Sequence, residues 1–189
     1  MINDMQLQPL QPGTADYESA ENLYVEAFPS VERRPVEAWR RLVGSGGTPF
    51  RAVKVVSPSV GFLGFITYWD FGNFLYVEHF AVSARARGGG VGGRALDALV
   101  RQEAPRPFVL EVEPPVSEMA QRRVRFYERH GFALSDLPYV QPCYEGNEGD
   151  GLTLNLMTTG PDFLRENADE VRRTIYREVY GVSTDGSCR

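Results

Sequence analysis

The chain has 189 residues, of which 42% are hydrophobic and 24% charged, with a formal net charge of −5. That length suits one compact domain with its own core, and the composition excludes a disordered or fibrous chain. The acidic balance, with no Lys/Arg cluster on one predicted face, argues against nucleic acid or an acidic membrane surface as partners.

The first elements follow in chain order. Met5 to Leu10 is a short strand ended by Pro12-Gly13, and Ala20, Leu23, Tyr24, Ala27 and Phe28 give helical spacing over Ala15 to Phe28. Pro29 stops that helix. A second helix over Val36 to Val43 carries Trp39, Leu42 and Val43 on one stripe and ends at Gly44. Three strands rich in Val, Phe, Ile and Tyr come next: Phe50 to Val56, Gly61 to Tyr68 and Phe74 to Val82. Asp70 to Asn73 reads as a hairpin loop, so these three are expected to be antiparallel neighbours.

From Gly92 the apolar period lengthens to that of a helix through Ala95, Leu96, Leu99 and Val100, which stops before Pro105. Pro107 to Val112 is a strand, Ser117 caps a helix that runs to Arg129, and Gly131 ends it in the left-handed conformation. Two further strands are expected near Tyr139 and over Leu152 to Met157, separated by the polar loop Glu145 to Gly151. A last amphipathic helix over Asp162 to Tyr180 shows Phe163, Leu164, Ala168, Val171, Ile175 and Val179 on one side. The expected division is residues 1–160 as the main domain and 161–189 as a C-terminal helix and tail, packed on that domain or on a second subunit.

The two cysteines, Cys143 and Cys188, form no CxxC pair and have no His at ligand spacing, so neither a disulfide framework nor a metal site is expected. Met1-Ile2-Asn3-Asp4-Met5-Gln6 has no basic start or apolar run, and no stretch approaches the ~18 apolar residues of a membrane span. A cytoplasmic location is the expectation.

The chemistry is expected where the third of these strands meets the next helix. Gly88, Gly89, Gly90, Gly92 and Gly93 surround Val91, and glycine lets a ligand approach the backbone closely. The first turn of a helix offers N–H groups without intrahelical partners and a positive dipole end, which suits a pyrophosphate; Arg87 adds charge at the entrance. No Lys-Ser/Thr follows, so the loop is not a P-loop, and the antiparallel strands before it do not make a Rossmann unit. A flexible turn or a nucleotide-binding loop are the other readings of the glycines alone.

Phe80-Ala81-Val82 followed by Arg87-Gly88-Gly89-Gly90-Val91-Gly92 resembles the motif of the GCN5-related N-acetyltransferase (GNAT) family: Arg or Gln, two residues, Gly, any residue, Gly or Ala. Phe126-Tyr127-Glu128-Arg129-His130-Gly131-Phe132 is similar to the family's second feature, an aromatic-Tyr-x-x-x-Gly-Phe helix end. The match covers roughly Leu7 to Met157. Ala120 stands where family members often carry Asn, and no role passes to it.

The resemblance implies an α/β (α+β) fold with a mixed central sheet of about six or seven strands flanked by helices, whose fourth and fifth strands splay to admit the pantetheine arm. It implies acetyl-CoA as co-substrate and no metal, with Phe80, Ala81 and Val82 contacting pantetheine and acyl group and Arg87, Gly88, Gly89, Gly90, Val91, Gly92 and Gly93 wrapping the pyrophosphate. It further implies an N-acetyltransferase (EC 2.3.1.-) acting on a primary amine of a small molecule or peptide; monomer and homodimer both stay open. The alternative is a noncatalytic acyl-CoA-binding module.

Acyl transfer from a thioester to an amine needs a deprotonated nucleophile, a polarised carbonyl and a proton for the thiolate. The resemblance makes Tyr127 the general acid. Glu78, on the strand just before the acyl-binding segment, is the candidate base, with His79 or water as alternatives. Regular strand geometry puts Glu78 on one face with Phe80 and Val82 and His79 on the other, so both reach one cleft only if a bulge intervenes. Phe28 to Pro35 and Tyr139 to Asp150 are the expected specificity loops. Glu145, Glu148 and Asp150 either favour a cationic amine or are a solvated loop, and Glu32-Arg33-Arg34 meets either an anionic group or water.

Overall fold

The computed structural model describes residues 4–144 and 151–182. The expected loop acids Glu145, Glu148 and Asp150, and Cys188, lie outside the described residues. The fold is mixed α/β, and its chain divides into two compact units: Met1–Ser30 with Val36–Arg106, and Val31–Pro35 with Pro107–Arg189.

In the first unit, strands β1 (Gln6–Pro9), β2 (Phe50–Ser57), β3 (Gly61–Asp70) and β4 (Leu75–Val82) pair in that order, each antiparallel to the last. Helix α1 (Ala15–Ala27) starts where the Thr14 hydroxyl accepts from the Tyr17 N–H at 3.2 Å. Helix α2 (Val36–Gly44) buries Trp39 completely, stacked at 5.1 Å on Tyr24 of α1. These rings join Leu10, Ala20, Leu23, Phe62, Phe65 and Ala81 in one core cluster. Each leucine and phenylalanine of the cluster contributes about 1.5–3 kcal/mol through burial. Ala81 of β4 therefore sits on the face that α1 and α2 cover.

Helix α3 (Val91–Glu103) follows β4 and buries Ala95, Leu96 and Leu99, three of the four positions whose spacing predicted it. At its far end Arg106 bridges Asp70 and Glu103, and the Tyr68 hydroxyl donates to Glu103 at 3.2 Å. This network pins the C-terminus of α3 to the β3–β4 end of the sheet.

In the second unit, β8 (Leu152–Thr158) organises the strands. It takes β5 (Phe108–Val112) along Asn155 to Thr158, β6 (Ala133–Leu134) at Met157 and Thr158, and β7 (Tyr139–Gln141) along Leu152 to Leu154, all antiparallel. Helix α4 (Glu118–Glu128) has the predicted ends: Ser117 Oγ accepts from the Ala120 N–H at 3.1 Å, and Gly131 adopts φ 83°. The described residues thus hold eight strands, the two-residue β6 being the one with no signal in the sequence.

The predicted helix over Asp162 to Tyr180 is not continuous. It forms α5 (Pro161–Glu166) and α6 (Ala168–Thr174), then a π-helical turn Ile175–Tyr180 closed by Gly181 at φ 68°. The break falls at Asn167, whose side-chain amide and backbone N–H both donate to the Phe163 carbonyl, at 2.8 and 3.0 Å. An asparagine that bonds locally in this way competes with helical continuation. Leu164, Val171, Ile175 and Val179 are buried all the same.

Tyr180 anchors the end of this segment within its own chain. Its hydroxyl donates to Glu111 at 2.9 Å, beside Gln141, which donates to the same carboxylate at 2.5 Å, and Tyr139, whose hydroxyl also donates to Glu111. Burial and the adjacent Glu111 charge hold the Tyr139 phenol well above its ordinary pKa. Arg34 donates to the Val179 carbonyl and lies 4.9 Å over the Tyr144 ring, so it is engaged by the protein itself. Glu32, by contrast, has its carboxyl pKa raised by burial and by Glu113, with Arg123 opposing.

Candidate functional site

The glycine loop lies where the sequence placed it. Gly88 and Gly90 have φ of 80° and 69°, conformations that disfavour any side chain, and Gly90 is the left-handed N-cap of α3. A Cβ on Gly88 or Gly89 would meet nothing within 4 Å, so open space lies over the loop. Val91 and Gly93 are buried, which leaves them only backbone to offer a ligand. The N–H groups of Val91, Gly92 and Gly93 open the helix and have no carbonyl four residues back within it.

The loop's electrostatics are more positive than the chain's net charge suggests. No acidic residue occupies the first turn of α3. Arg87 Nε donates to the Val82 carbonyl at 3.0 Å, joining the loop to the end of β4. Arg94, which the sequence reading passed over, folds back along α3 and donates to the Gly89 carbonyl at 2.8 Å. A helix N-terminus flanked by two guanidinium groups is a fitting cradle for phosphate oxygens. Ser83 Oγ, buried just after β4, has no hydrogen-bond partner among the described residues.

The β4 strand departs from regular geometry at the residue of most interest. In the β3–β4 pairing Thr67 faces His79 while the next residue, Tyr68, faces Val77. Glu78 is therefore the extra residue of a β-bulge. Sequence alone placed Glu78 and His79 on opposite faces unless a bulge intervened; one does, and both side chains turn to the same side. Glu78 Oε1 lies 4.0 Å from His79 Nδ1, and the two side chains are only 1% and 2% exposed.

Each has a defined environment. Trp69 Nε1–H donates to Glu78 Oε2 at 2.7 Å. The His79 ring sits edge-on to Tyr24 at 4.9 Å and to Phe28 at 4.7 Å, within the aromatic layer of α1. Trp69 has no motif to mark it, because a cross-strand partner depends on register and register is set by the bulge. Gly64 is equally silent in sequence: a Cβ there would lie 2.4 Å from the Ala81 carbonyl oxygen, so β3 approaches the Phe80-Ala81-Val82 segment closely only because residue 64 has no side chain.

Tyr127 belongs to the second unit. It sits near the end of α4, its ring 5.2 Å from Phe126 and 5.6 Å from Phe132, and its carbonyl accepts the N–H groups of His130 and Phe132. Burial pushes its phenol pKa up to about 12, with Arg123 opposing. The hydroxyl is thus a proton-bearing donor throughout the neutral range. Ala120, at the position often Asn in the resembling family, is buried and supplies no polar group. Among the described residues no group of three His, Cys, Asp or Glu is placed to hold a metal ion, and no helix is long and apolar enough to cross a membrane.

Comparison with known proteins identifies the family and the fold. Residues 17–132 match the family described as "Acetyltransferase (GNAT) family". A solved GNAT-family protein from Bacteroides thetaiotaomicron is 40% identical, with a TM-score of 0.86 over 94% of this chain and 99% of that one. The YjbC protein of Bacillus subtilis (strain 168) is 35% identical over 69 residues, a match spanning about a third of each chain (35%). Spermidine N-acetyltransferase from Vibrio cholerae, solved with CoA and spermine, shares the fold at 16% identity and a TM-score of 0.59, over 82% of this chain and 94% of that one. The chain belongs to the GNAT acetyltransferase family.

Proposed function

We propose that the protein is an acetyl-CoA-dependent N-acetyltransferase acting on a primary amine of a small molecule or peptide. The observation that carries this reading is the β4 bulge: it turns the buried Glu78 carboxylate out of strand alternation, two residues before the segment that runs into the glycine loop. A bulge costs strand pairing, and a buried carboxylate costs desolvation, so the combination suits a functional group better than a packing one.

Acetyl-CoA supplies the activated acyl group, and the chain's residues hold it and move protons. Arg87 to Gly93 receive the pyrophosphate through the first-turn N–H groups of α3, with Arg87 and Arg94 beside them and the open space over Gly88 and Gly89 giving it room. Phe80, Ala81 and Val82 orient pantetheine and the acyl group through their main chain. Glu78 accepts the proton of the amine, directly or through water, and Tyr127 donates a hydrogen bond and then its proton to the departing thiolate. The raised pKa keeps the hydroxyl protonated in the resting enzyme, where it can donate to the sulfur. Much of the acceleration comes from orientation, for which effective molarities of ~10⁵ M or more are available.

The test is thiol release from acetyl-CoA with a panel of primary amines and peptide N-termini. Acceptor-dependent release that collapses in Glu78→Gln while CoA affinity survives supports the reading. CoA binding with no release from any acceptor would leave a binding module instead.

A further inference from the structure

Trp69 stands next to the end of β3, paired in register with Tyr76. The residue is 4% exposed, its ring edge-on to Phe50 at 5.4 Å and stacked with Phe71 at 6.1 Å and 17°. Those contacts fix the ring plane and with it the direction of Nε1–H, which can only donate. It points at Glu78 Oε2 from 2.7 Å, the length of a charge-assisted bond. Glu78 is the one residue of this stretch that the cross-strand pairing skips, so its side-chain partners carry much of its orientation.

We propose that Trp69 is a positioning residue for the base: its indole N–H holds one carboxylate oxygen of Glu78, favours the ionised form and fixes the direction in which the group accepts a proton. The inference rests on the reading of Glu78 as the base. Among the titratable groups on the packed elements, Lys54 of β2 pairs with Asp16 of α1, and Arg51 of β2 donates to the Thr48 and Phe50 carbonyls. His79 lies at 4.0 Å and Tyr76 shares β4, and Tyr24 of α1 meets the His79 ring. Asp70 of β3 and Glu103 of α3 are taken by Arg106, Tyr68 donates to Glu103, and Glu21 of α1 and Glu37 of α2 are taken by Arg40.

The chain has two tryptophans, so ¹⁵N-indole labelling of the intact protein gives two N–H signals, with Trp69→Phe assigning its own. The Trp69 signal is expected to titrate with the midpoint of the acid limb of kcat/KM for thiol release from acetyl-CoA, using the best acceptor of the amine panel. That titration disappears in Glu78→Gln. In Trp69→Phe the acid limb moves up by about one pH unit or more, since a lost donor favours the neutral carboxyl, while KM for acetyl-CoA stays within about twofold.

An unmoved acid limb in a folded Trp69→Phe protein, with Glu78→Gln inactive, overturns the positioning role and leaves Glu78 as the base. Full turnover by Glu78→Gln removes both readings together. Should Trp69→Phe fail to fold, Trp39→Phe assigns the signals and the wild-type spectrum decides: a Trp69 indole signal that ignores pH across the acid limb overturns the proposal.

Discussion

Replacing Gly90 by alanine separates the loop's shape from its mere flexibility. Gly90 has φ 69° as the N-cap of α3, and a Cβ there comes within 3.1 Å of the Arg94 guanidinium. Holding alanine in this left-handed conformation costs about 1–2 kcal/mol. For a chain of this size each kilocalorie lowers Tm by about 2–4 °C, so Gly90→Ala should melt roughly 2–8 °C below wild type. Gly89 is the matched control: its φ is not left-handed, its Cβ meets nothing within 4 Å, and Gly89→Ala should stay within about ±0.5 kcal/mol of wild type. Ligand binding then distinguishes the two. At CoA one hundredfold above the wild-type Kd the stabilisation is about 2.7 kcal/mol; a tenfold weaker Gly90→Ala site leaves about 1.4 kcal/mol. The assay is thermal melting with and without CoA, with Kd from calorimetry. Equal CoA affinity in wild type and Gly90→Ala, or an equal loss in Gly89→Ala, would refute the claim that this left-handed turn shapes the phosphate cradle.

Glu78→Gln should lower kcat by about 10²–10⁴-fold with little change in KM for acetyl-CoA, as read by thiol release. Tyr127→Phe should slow turnover while leaving CoA affinity intact by calorimetry. Because burial raises the Tyr127 phenol pKa to about 12, above its unfolded value, its contribution to stability is complete below about pH 10 and is lost as pH rises through about 12. Urea denaturation between these limits should show a steeper loss in wild type than in Tyr127→Phe. Tyr180→Phe removes one donor from Glu111 and should cost about 1.5–3 kcal/mol in urea denaturation, the range for a hydrogen bond to a charged group.

Most elements were legible because their signals are local. Ser117 and Gly131 bound α4 by capping chemistry that three or four residues suffice to specify, and Pro29 and Pro105 mark where α1 and α3 cannot continue. The glycine loop was legible for the same reason. What escaped depends on partners distant in sequence. The placement of Glu78 and His79 on one side follows from how β4 registers with Thr67 and Tyr68, and no pattern within β4 encodes it. Trp69 and Gly64 matter through cross-strand neighbours. The C-terminal helix kept its apolar stripe as predicted, yet Asn167 divides it, since one side-chain bond to Phe163 outweighs the periodicity around it.

The register of β4 has a consequence for how its acid can be removed. Thr67 and Tyr68 are consecutive in β3, and their partners His79 and Val77 become consecutive in β4 once Glu78 is excised. A one-residue deletion would thus yield an ordinary hairpin, with every other side chain of both strands keeping the face it has now. The carboxylate is supernumerary to the sheet: the scaffold is complete without it, and the strand carries it as cargo.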